Sequence, residues 1–325
     1  MLADQIWQES RGSVQVSVIM PCHNCVAHVS QSIASVLAQT FGDFELLIID
    51  NASTDDSRLK IAQQQDARIH LLSEEEKGVS HARNRGLAEA KGKFIAFLDA
   101  DDTWEPTFLE KMCSALESVP HAELAYCGWQ NLGVSGGRGE PFIPPDYETA
   151  DKWDQLVGGC RWPIHATLTR HEAIRTARGF DPRFAVGEDF LLWMEIGCFH
   201  AIKRVPDVLA YYHHHGGEQA TKNQLRAILE TCRVQLAFLQ QHPEVENKLG
   251  KTRVRELIYG NLLHNGYAAY WRRDLATARG IFRVVMKAGY GKPKDWLYML
   301  PAWLPFSFHA SLIRLVEIRK AAHER

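Results

Sequence analysis

The sequence lacks the features that mark secreted, disulfide-rich and nucleic-acid-binding proteins. Its seven cysteines are an odd number without regular spacing, which argues against a disulfide framework and for a reducing compartment. The first ten residues include an Asp and a Glu and no apolar core, so we expect no cleaved signal peptide. A net charge of −2 gives no electrostatic basis for binding nucleic acid. These absences predict a cytoplasmic protein that does not bind nucleic acid.

Long hydrophobic runs are scarce as well. The most apolar segment, residues 296–316, is interrupted by residues that disfavour a membrane-spanning helix, namely Pro301, Pro305, His309 and Arg314. Basic residues flank this segment: Lys287, Lys292, Lys294, Arg319 and Lys320. Two interpretations stay open, because such a segment suits both packing onto the rest of the protein and peripheral contact of residues 296–320 with the cytoplasmic face of a membrane.

Short apolar runs alternate with helical patterns from residue 14 to about residue 212. Hydrophobic residues make up 46% and charged residues 23% of the sequence, as is ordinary for a globular protein. The predicted strands are 14–20, 44–50, 68–72, 94–98, 123–129 and 164–169, with short strands around Pro206. The predicted helices between them include 26–39, 78–90 and 188–198. Because strands and helices alternate, we expect an α/β fold with a mostly parallel central sheet flanked by helices.

The pattern changes after about residue 217. Amphipathic helical patterns then cover 222–241, 251–272 and 274–288, without a strand signal. The predicted organisation is therefore an N-terminal lead of residues 1–13, an α/β domain of residues 14–216 and a C-terminal all-α region of residues 217–325. The last region is expected to serve in packing, in forming a homo-oligomer or at a membrane surface.

The segment from Phe94 to Trp104 directs the functional interpretation. Its apolar strand ends at three carboxylates, Asp99, Asp101 and Asp102, and ligands of open α/β sheets bind outside the carboxyl ends of strands. Asp99 and Asp101 are two residues apart, so their carboxylates fall on one side of an extended backbone. A partial set of hard oxygen ligands suits Mg²⁺ or Mn²⁺ completed by water and substrate phosphate. The alternative is a solvated helix start capped by Asp102 or Thr103.

Further motifs lie at the ends of predicted elements. In chain order they are Pro21-Cys-His-Asn24, Asp50-Asn-Ala-Ser-Thr-Asp55, Gly78-Val-Ser-His-Ala-Arg-Asn-Arg-Gly86 and Gly187-Glu-Asp189. Together with Asp99-Ala-Asp101, their order and spacing over residues 14–221 resemble the family 2 glycosyltransferases, which are inverting enzymes of the GT-A fold. The resemblance implies transfer of a sugar from a nucleotide-diphosphate sugar, with a UDP-sugar as the expected donor, to a hydroxyl of a glycan or lipid-linked acceptor.

The resemblance also implies roles at the donor site. Asp101 would be the first metal ligand, Asp99 would contact the metal or the donor ribose, and His215 would lie near the metal or the diphosphate. The other donor-binding residues that it implies are Pro21, His23, Asn24, Asp50, Asn51, Ser53, Gly78, Arg83, Asn84 and Ala100. Asp50 suits the imide N–H of uracil, and the planar donors of Arg83 suit the diphosphate. For Arg83 the alternative is a surface ion pair with Glu74–Glu76 or Glu89.

Gly187-Glu-Asp189 resembles the family motif whose Asp is the general base. An inverting displacement needs a carboxylate opposite the leaving phosphate to take the proton of the acceptor hydroxyl. The resemblance implies Asp189 for this role, with Glu188 orienting the acceptor. The alternative is helix capping, and the two are compatible because a helix N-terminus would lower the pKa of the base. Three tryptophans are candidates for stacking on acceptor sugars: Trp129, Trp162 and Trp193.

Two departures from the family pattern support an alternative. Asn51 stands where a second Asp is usual, and His213 stands where an Arg is usual, so His213 is expected to be a weaker, pH-sensitive substitute. The alternative is a catalytically silent GT-A module that binds carbohydrate or acts as a scaffold. No G-x-G-x-x-G follows the first strand, which argues against a Rossmann dehydrogenase. Cys22-His-Asn-Cys25 has no second CxxC at zinc-finger spacing, which argues against a zinc knuckle or a thioredoxin-like site.

Overall fold

The computed structural model describes residues 14–134, 136–159, 162–215 and 223–308. The chain divides into two compact units, Met1–Glu218 and Gln219–Arg325. This division lies two residues after the boundary expected from the sequence. The predicted lead of residues 1–13 lies outside the described residues, as does the part of the apolar segment beyond residue 308.

The first unit contains one sheet of eight strands in the order β3-β2-β1-β4-β7-β6-β8-β5. The strands are β1 (Val16–Cys22), β2 (Phe44–Asp50), β3 (Ile69–Ser73), β4 (Phe94–Phe97), β5 (Thr103–Trp104), β6 (Ala122–Leu132), β7 (Thr167–Arg170) and β8 (Ala201–His213). The first four pair in parallel, as β6 and β8 do, whereas β7 runs antiparallel to β4 and β6, and β5 runs antiparallel to β8. The predicted α/β fold is confirmed, with antiparallel pairing beginning beyond β4.

Helices cover the sheet of the first unit. They are α1 (Val29–Leu37), α2 (Ser57–Ala62), α3 (Val79–Glu89), α4 (Phe108–Ser118), α5 (Lys152–Gly159), α6 (His171–Thr176) and α7 (Glu188–Gly197). All residues of β1 and β2 are buried, because parallel strands under helices are enclosed on both faces. Helix α3 approaches β1 closely at Gly86, where a Cβ atom would lie 2.5 Å from Cγ2 of Ile19. This close contact fixes the position of α3 against the sheet.

One alternative and two local predictions were wrong. No helix starts at Asp102 or Thr103: residues 103–104 form β5, and α4 begins at Phe108. Residues 164–166 form a 3₁₀ turn ahead of β7, so only the end of the predicted strand 164–169 is extended. The short strands expected around Pro206 are one strand, β8, whose pairing with β6 skips residues 206–207. A bulge there accommodates a proline, which has no N–H to donate to the neighbouring strand.

The second unit is helical. Its helices are α8 (Gln224–Gln241), α9 (Pro243–Leu249), α10 (Lys251–Arg255), α11 (Asn261–Trp271), α12 (Leu275–Lys287) and α13 (Pro293–Met299). A π-helical turn, Glu256–Gly260, joins α10 to α11, and a 3₁₀ turn, Leu300–Trp303, follows α13. Helices α11 and α12 pack at Gly266, where a Cβ atom would lie 2.6 Å from the Phe282 ring. Among the described residues, none of the helices has the length and hydropathy needed to cross a membrane.

Candidate active site

The predicted donor-site motifs meet at the carboxyl ends of β1, β2 and β4. The backbone N–H of Asn51 donates to the Cys22 carbonyl (2.8 Å), and the N–H of Asn24 donates to Ser53 Oγ (3.1 Å). Asn24 and Ala52 have positive φ angles, 52° and 54°, which non-glycine residues rarely adopt. Such backbone strain is characteristic of functional loops. The fold therefore brings the first two motifs into one constrained pair of loops.

Asp50 and His23 lie on these loops. Asp50 is only 7% exposed, and its carboxylate accepts from the Ser53 N–H (3.3 Å) and from Arg58 (3.4 Å). His23 Nδ1 lies 2.7 Å from the carbonyl of Asn51. Pro21 is buried, whereas the side chains of His23 and Asn24 are exposed. A buried carboxylate at the end of β2 can accept a hydrogen bond from an N–H group of a nucleotide base.

Asn51 organises a neighbouring loop. Its Nδ2 donates to the carbonyls of Glu74 (3.0 Å) and Glu76 (2.7 Å), and its Oδ1 accepts from the N–H of Gly78 (2.8 Å). The side chain is 5% exposed and its amide is used within the protein, while its contact with the donor stays a prediction. A carboxylate has no hydrogen to donate to the two carbonyls, which explains physically why an amide suits this position.

The two outer carboxylates of Asp99-Ala-Asp101 face different partners. Asp99 Oδ1 accepts from Arg83 Nη2 (2.9 Å), while Asp101 Oδ2 lies 2.8 Å from His215 Nε2. Ala100 is buried, and His215 stacks on His28 with a ring distance of 4.5 Å. Burial raises the pKa of Asp101, and the charges of the neighbouring Asp residues raise it further. This crowding of negative charge is the condition that a bound cation relieves.

The third carboxylate of the segment, Asp102, is fully buried instead of capping a helix. Its Oδ1 accepts from the N–H of His213 (2.9 Å), and its Oδ2 lies 3.1 Å from Nδ1 of His165, which is also fully buried. Burial alone would lower the pKa of His165, but the Asp102 carboxylate raises it above the ordinary value. Sequence reasoning missed His165, because a single histidine between Ile164 and Ala166 carries no motif signal.

The structure contradicts the surface ion pair considered for Arg83, whereas its contact with the diphosphate stays a prediction. The side chain is 3% exposed and forms two ion pairs inside the protein, with Asp99 (2.9 Å) and with Glu188 Oε1 (2.6 Å). The neighbouring Asn84 is likewise internal, because its amide donates to and accepts from the backbone of Phe180 (2.7 and 2.9 Å). Both residues of α3 therefore hold the segment that leads to α7.

Asp189 is the second residue of α7, after Gly187 in a left-handed conformation (φ 82°). Its Oδ1 accepts from the N–H of Phe190 (2.7 Å), and its side chain is half-buried. Burial and the adjacent Glu188 raise the pKa of Asp189 to about 7, although Arg83 and the helix N–H act in the opposite direction. The expected lowering of this pKa was wrong, because enclosure by the protein outweighs the helix N-terminus. A carboxylate that titrates near neutrality suits a general base.

Two of the three candidate acceptor residues are enclosed in the core. Trp193 is completely buried, and Trp162 is 4% exposed and stacks on Tyr126 with a ring distance of 4.5 Å. Neither ring can meet a sugar, so these two predictions were wrong. Trp129 is half-buried and lies edge-on to Phe142 at 4.8 Å. It remains the accessible candidate of the three.

His213 does not supply the positive charge of the Arg that the family pattern has at its position. Its Nε2 lies 2.9 Å from the hydroxyl of Thr103, and burial lowers its pKa. Among the described residues, no group of three or more His, Cys, Asp and Glu side chains is arranged to hold a metal. Of the three predicted ligands, Asp99 contacts Arg83 through Oδ1 and is 30% exposed. Asp101 and His215 remain, and this partial set fits an ion that is bound mostly by water and phosphate oxygens.

Comparison with known proteins decides the family. The model of glycosyl transferase family 2 matches residues 17–207, which is more than half of the chain. The chain belongs to glycosyltransferase family 2. The resemblance seen in the sequence is thereby confirmed, and the protein is a glycosyltransferase.

Named relatives agree with this assignment, and a solved structure shares the fold. The UDP-Glc:alpha-D-GlcNAc-diphosphoundecaprenol beta-1,3-glucosyltransferase WfgD of Escherichia coli is 36% identical over 183 residues, covering 56% of this chain and 69% of WfgD. The putative teichuronic acid biosynthesis glycosyltransferase TuaG of Bacillus subtilis is 33% identical over 186 residues, covering 56% of this chain and 71% of TuaG. S. aureus TarS 1–349 in complex with UDP superimposes with a TM-score of 0.59 at 17% identity, over 83% of this chain and 80% of TarS.

Proposed function

We propose that this glycosyltransferase moves a sugar from a UDP-sugar to a hydroxyl of a glycan or lipid-linked acceptor, with inversion at the anomeric carbon. Asp50 at the end of β2 would accept a hydrogen bond from the uracil of the donor, and the Asp99–Asp101 segment would face the diphosphate. TarS in complex with UDP has the same fold, and the name of WfgD specifies a UDP-glucose donor and a diphosphoundecaprenol-linked acceptor. These relatives support a UDP-sugar donor and a lipid-linked acceptor for this chain.

A continuous line of side chains carries the proposal. Asp99 contacts Arg83, Arg83 contacts Glu188, and Glu188 precedes Asp189 in the first turn of α7. One buried cation thus joins the donor-facing carboxylate to Glu188, the residue that precedes the candidate base. Reacting groups that are held in fixed relation lower the entropic part of the barrier.

In the proposed reaction, Asp189 accepts the proton of the acceptor hydroxyl as the oxygen attacks the anomeric carbon. The bond from that carbon to the diphosphate breaks, and the nucleoside diphosphate leaves with the bonding electrons. Glu188 keeps α7 in place through Arg83 instead of orienting the acceptor directly, since its carboxylate is committed to Arg83. Mn²⁺ or Mg²⁺ held by Asp101 and His215 would neutralise charge on the departing diphosphate. The mannosyltransferase PcManGT of Pyrobaculum calidifontis, in complex with GDP-Man and Mn²⁺, shares the fold (TM-score 0.56).

The test separates donor binding from chemistry. UDP binding would be measured by calorimetry and transfer by product formation, each with and without Mn²⁺, for wild type, Asp101→Ala and Asp189→Asn. We expect Asp101→Ala to lose the metal-dependent part of UDP binding, and Asp189→Asn to bind UDP normally while turnover falls by about 10²–10⁴-fold. Asp207→Asn is a matched control, because Asp207 forms a surface pair with Lys111 and is 47% exposed.

A wild-type protein that binds UDP-sugar and shows no turnover with glycan or lipid-linked acceptors would favour the silent module. Full turnover in Asp189→Asn would remove the proposed base. The proposed setting is the cytoplasmic side of a membrane, where acceptors linked to diphosphoundecaprenol would be met.

A further inference from the structure

Exposed apolar side chains are concentrated on one short stretch of the second unit. Twelve large hydrophobic side chains are exposed in the described part of the chain, and seven of these lie between residues 297 and 308. They are Leu297, Tyr298, Leu300, Trp303, Leu304, Phe306 and Phe308, with exposures of 40–73%. An eighth, Trp271, is 59% exposed and lies 6.1 Å from Tyr298. Concentrated exposure of this kind marks an interaction surface, whereas single exposed residues do not.

The backbone that presents these side chains is fixed to helix α12. Arg279 Nη2 donates to the carbonyl of Leu304 (2.7 Å), and Arg283 Nε donates to the carbonyl of Ala302 (2.9 Å). The same two guanidinium groups lie over aromatic rings, Arg279 over Phe306 at 5.5 Å and Arg283 over Trp303 at 5.4 Å. Segment 302–306 is therefore held in place by four contacts to one helix. The apolar side chains form a defined surface of this unit.

The charge around this surface selects its partner. Residues 275–308 contain five basic residues, Arg279, Arg283, Lys287, Lys292 and Lys294, and one acidic residue, Asp295. Asp295 is 8% exposed and is used internally, by the hydroxyl of Tyr267 (2.8 Å) and the N–H of Lys292 (2.7 Å). Arg279 is likewise 8% exposed and Arg283 is half-buried. The exposed charges beside the apolar side chains are therefore those of Lys287, Lys292 and Lys294, which are positive although the whole chain carries −2. A second copy of this surface would bring like charges together, whereas an anionic bilayer would complement them.

We propose that residues 297–308, with Trp271 and the lysines at 292 and 294, dock the enzyme on the surface of an anionic phospholipid bilayer. Trp and Tyr favour the membrane–water interface, and Leu and Phe enter the acyl boundary below it. A cavity of about 540 Å³ continues the surface between Trp271 and Tyr298, with Lys294 and His264 among its lining residues. The docking is peripheral, and it does not depend on the catalytic proposal.

Vesicle co-sedimentation of the full chain tests this proposal. Wild type should bind vesicles of phosphatidylcholine with phosphatidylglycerol better than phosphatidylcholine alone, and added salt should weaken the binding. Trp303→Ser/Phe306→Ser should bind the anionic vesicles about tenfold more weakly or worse. Lys292→Glu/Lys294→Glu should bind anionic vesicles at least about fivefold more weakly for each reversed charge, and should bind neutral vesicles as wild type does.

Matched controls change the same kinds of residue elsewhere. Leu59→Ser/Leu236→Ser removes two exposed apolar side chains, and Lys91→Glu/Lys251→Glu reverses two exposed charges. Both should bind vesicles as wild type does, and circular-dichroism melting should show that every variant is folded. Equal binding by Trp303→Ser/Phe306→Ser and wild type would overturn the proposal, as would failure of wild type to bind anionic vesicles. A wild-type dimer that this apolar variant converts to a monomer without lipid would assign the surface to a second copy.

Discussion

Arg83 offers the sharpest test of how this site is built. Replacing it by Gln removes the cation that contacts both Asp99 and Glu188. The side chains of Arg83 and Glu188 are 3% and 9% exposed, so Glu188 would be left as a buried charge without its partner. Breaking a buried ion pair costs about 3–5 kcal/mol. Asp99 is 30% exposed and can be hydrated by water once Arg83 is gone. We therefore expect the free energy of unfolding to fall by the lower value of this range, about 3 kcal/mol.

That loss should appear as a fall of about 6–12 °C in the Tm of the first unit, since about 1 kcal/mol shifts the Tm of a unit of this size by roughly 2–4 °C. The second readout is catalytic. Arg83 is the positive charge that opposes the raised pKa of Asp189, so its removal should raise this pKa further above about 7. The pH at which kcat/KM is half-maximal should then move upward.

The matched control is Arg85→Gln on the same helix. Arg85 forms an exposed pair with Glu89, with side chains 39% and 44% exposed, so its loss should cost no more than about 0.5 kcal/mol. Arg83→Lys keeps the charge but not the two-armed geometry, and should fall between wild type and Arg83→Gln. If Arg83→Gln melts like Arg85→Gln and keeps the wild-type pH profile, the proposed coupling between the two carboxylates is refuted.

Three further predictions follow from the same contacts. In wild type, kcat/KM should rise with pH through about 7 and fall about tenfold per unit below it, because Asp189 must be ionised to act as base, which a pH–rate profile would show. A carboxyl group with a raised pKa favours folding most below pH 3.8 and loses this contribution as pH rises through about 7. The Tm of Asp189→Asn, measured across this pH range, should therefore change less with pH than the Tm of wild type. Asn51→Asp should destabilise the first unit by about 1–3 kcal/mol in a denaturant titration, because the two carbonyls lose their donor; equal stability would contradict the role given to Asn51.

The part of the site that lies at strand ends could be predicted from the sequence, because the residues that end a strand are neighbours along the chain. The apolar run to Leu98 and the carboxylates after it predict both a buried strand and the point where this strand ends, and the structure has both. Partners distant along the chain could not be predicted. Arg83 and Glu188 are 105 residues apart, and nothing near either residue indicates the other. The direction of the Asp189 pKa was misjudged for the same reason, since a helix N-terminus is visible in sequence and burial is not.

The tryptophans illustrate a second limit. An aromatic residue in a sequence fits a core and a sugar-binding surface equally well, and only the packed structure separates the two. Trp162 and Trp193 proved to be core residues, whereas the exposed rings at 271, 303 and 306 belong to the second unit, whose sequence contains none of the motifs. The exposure of a side chain depends on which face of its helix or strand packs against the rest of the protein. A short turn such as Leu300–Trp303 has no hydrophobic periodicity that would predict its buried face.

The two departures from the family pattern no longer support a silent module. Asn51 stands where an Asp is usual, but its amide donates to the carbonyls of Glu74 and Glu76, which a carboxylate could not do. His213 lies against Thr103, and its backbone N–H satisfies Asp102. Both residues therefore have structural roles, and the carboxylates proposed for chemistry remain in place at the edge of the sheet. Because a silent module would have no need of a base that titrates near neutrality, the raised pKa of Asp189 favours an active transferase.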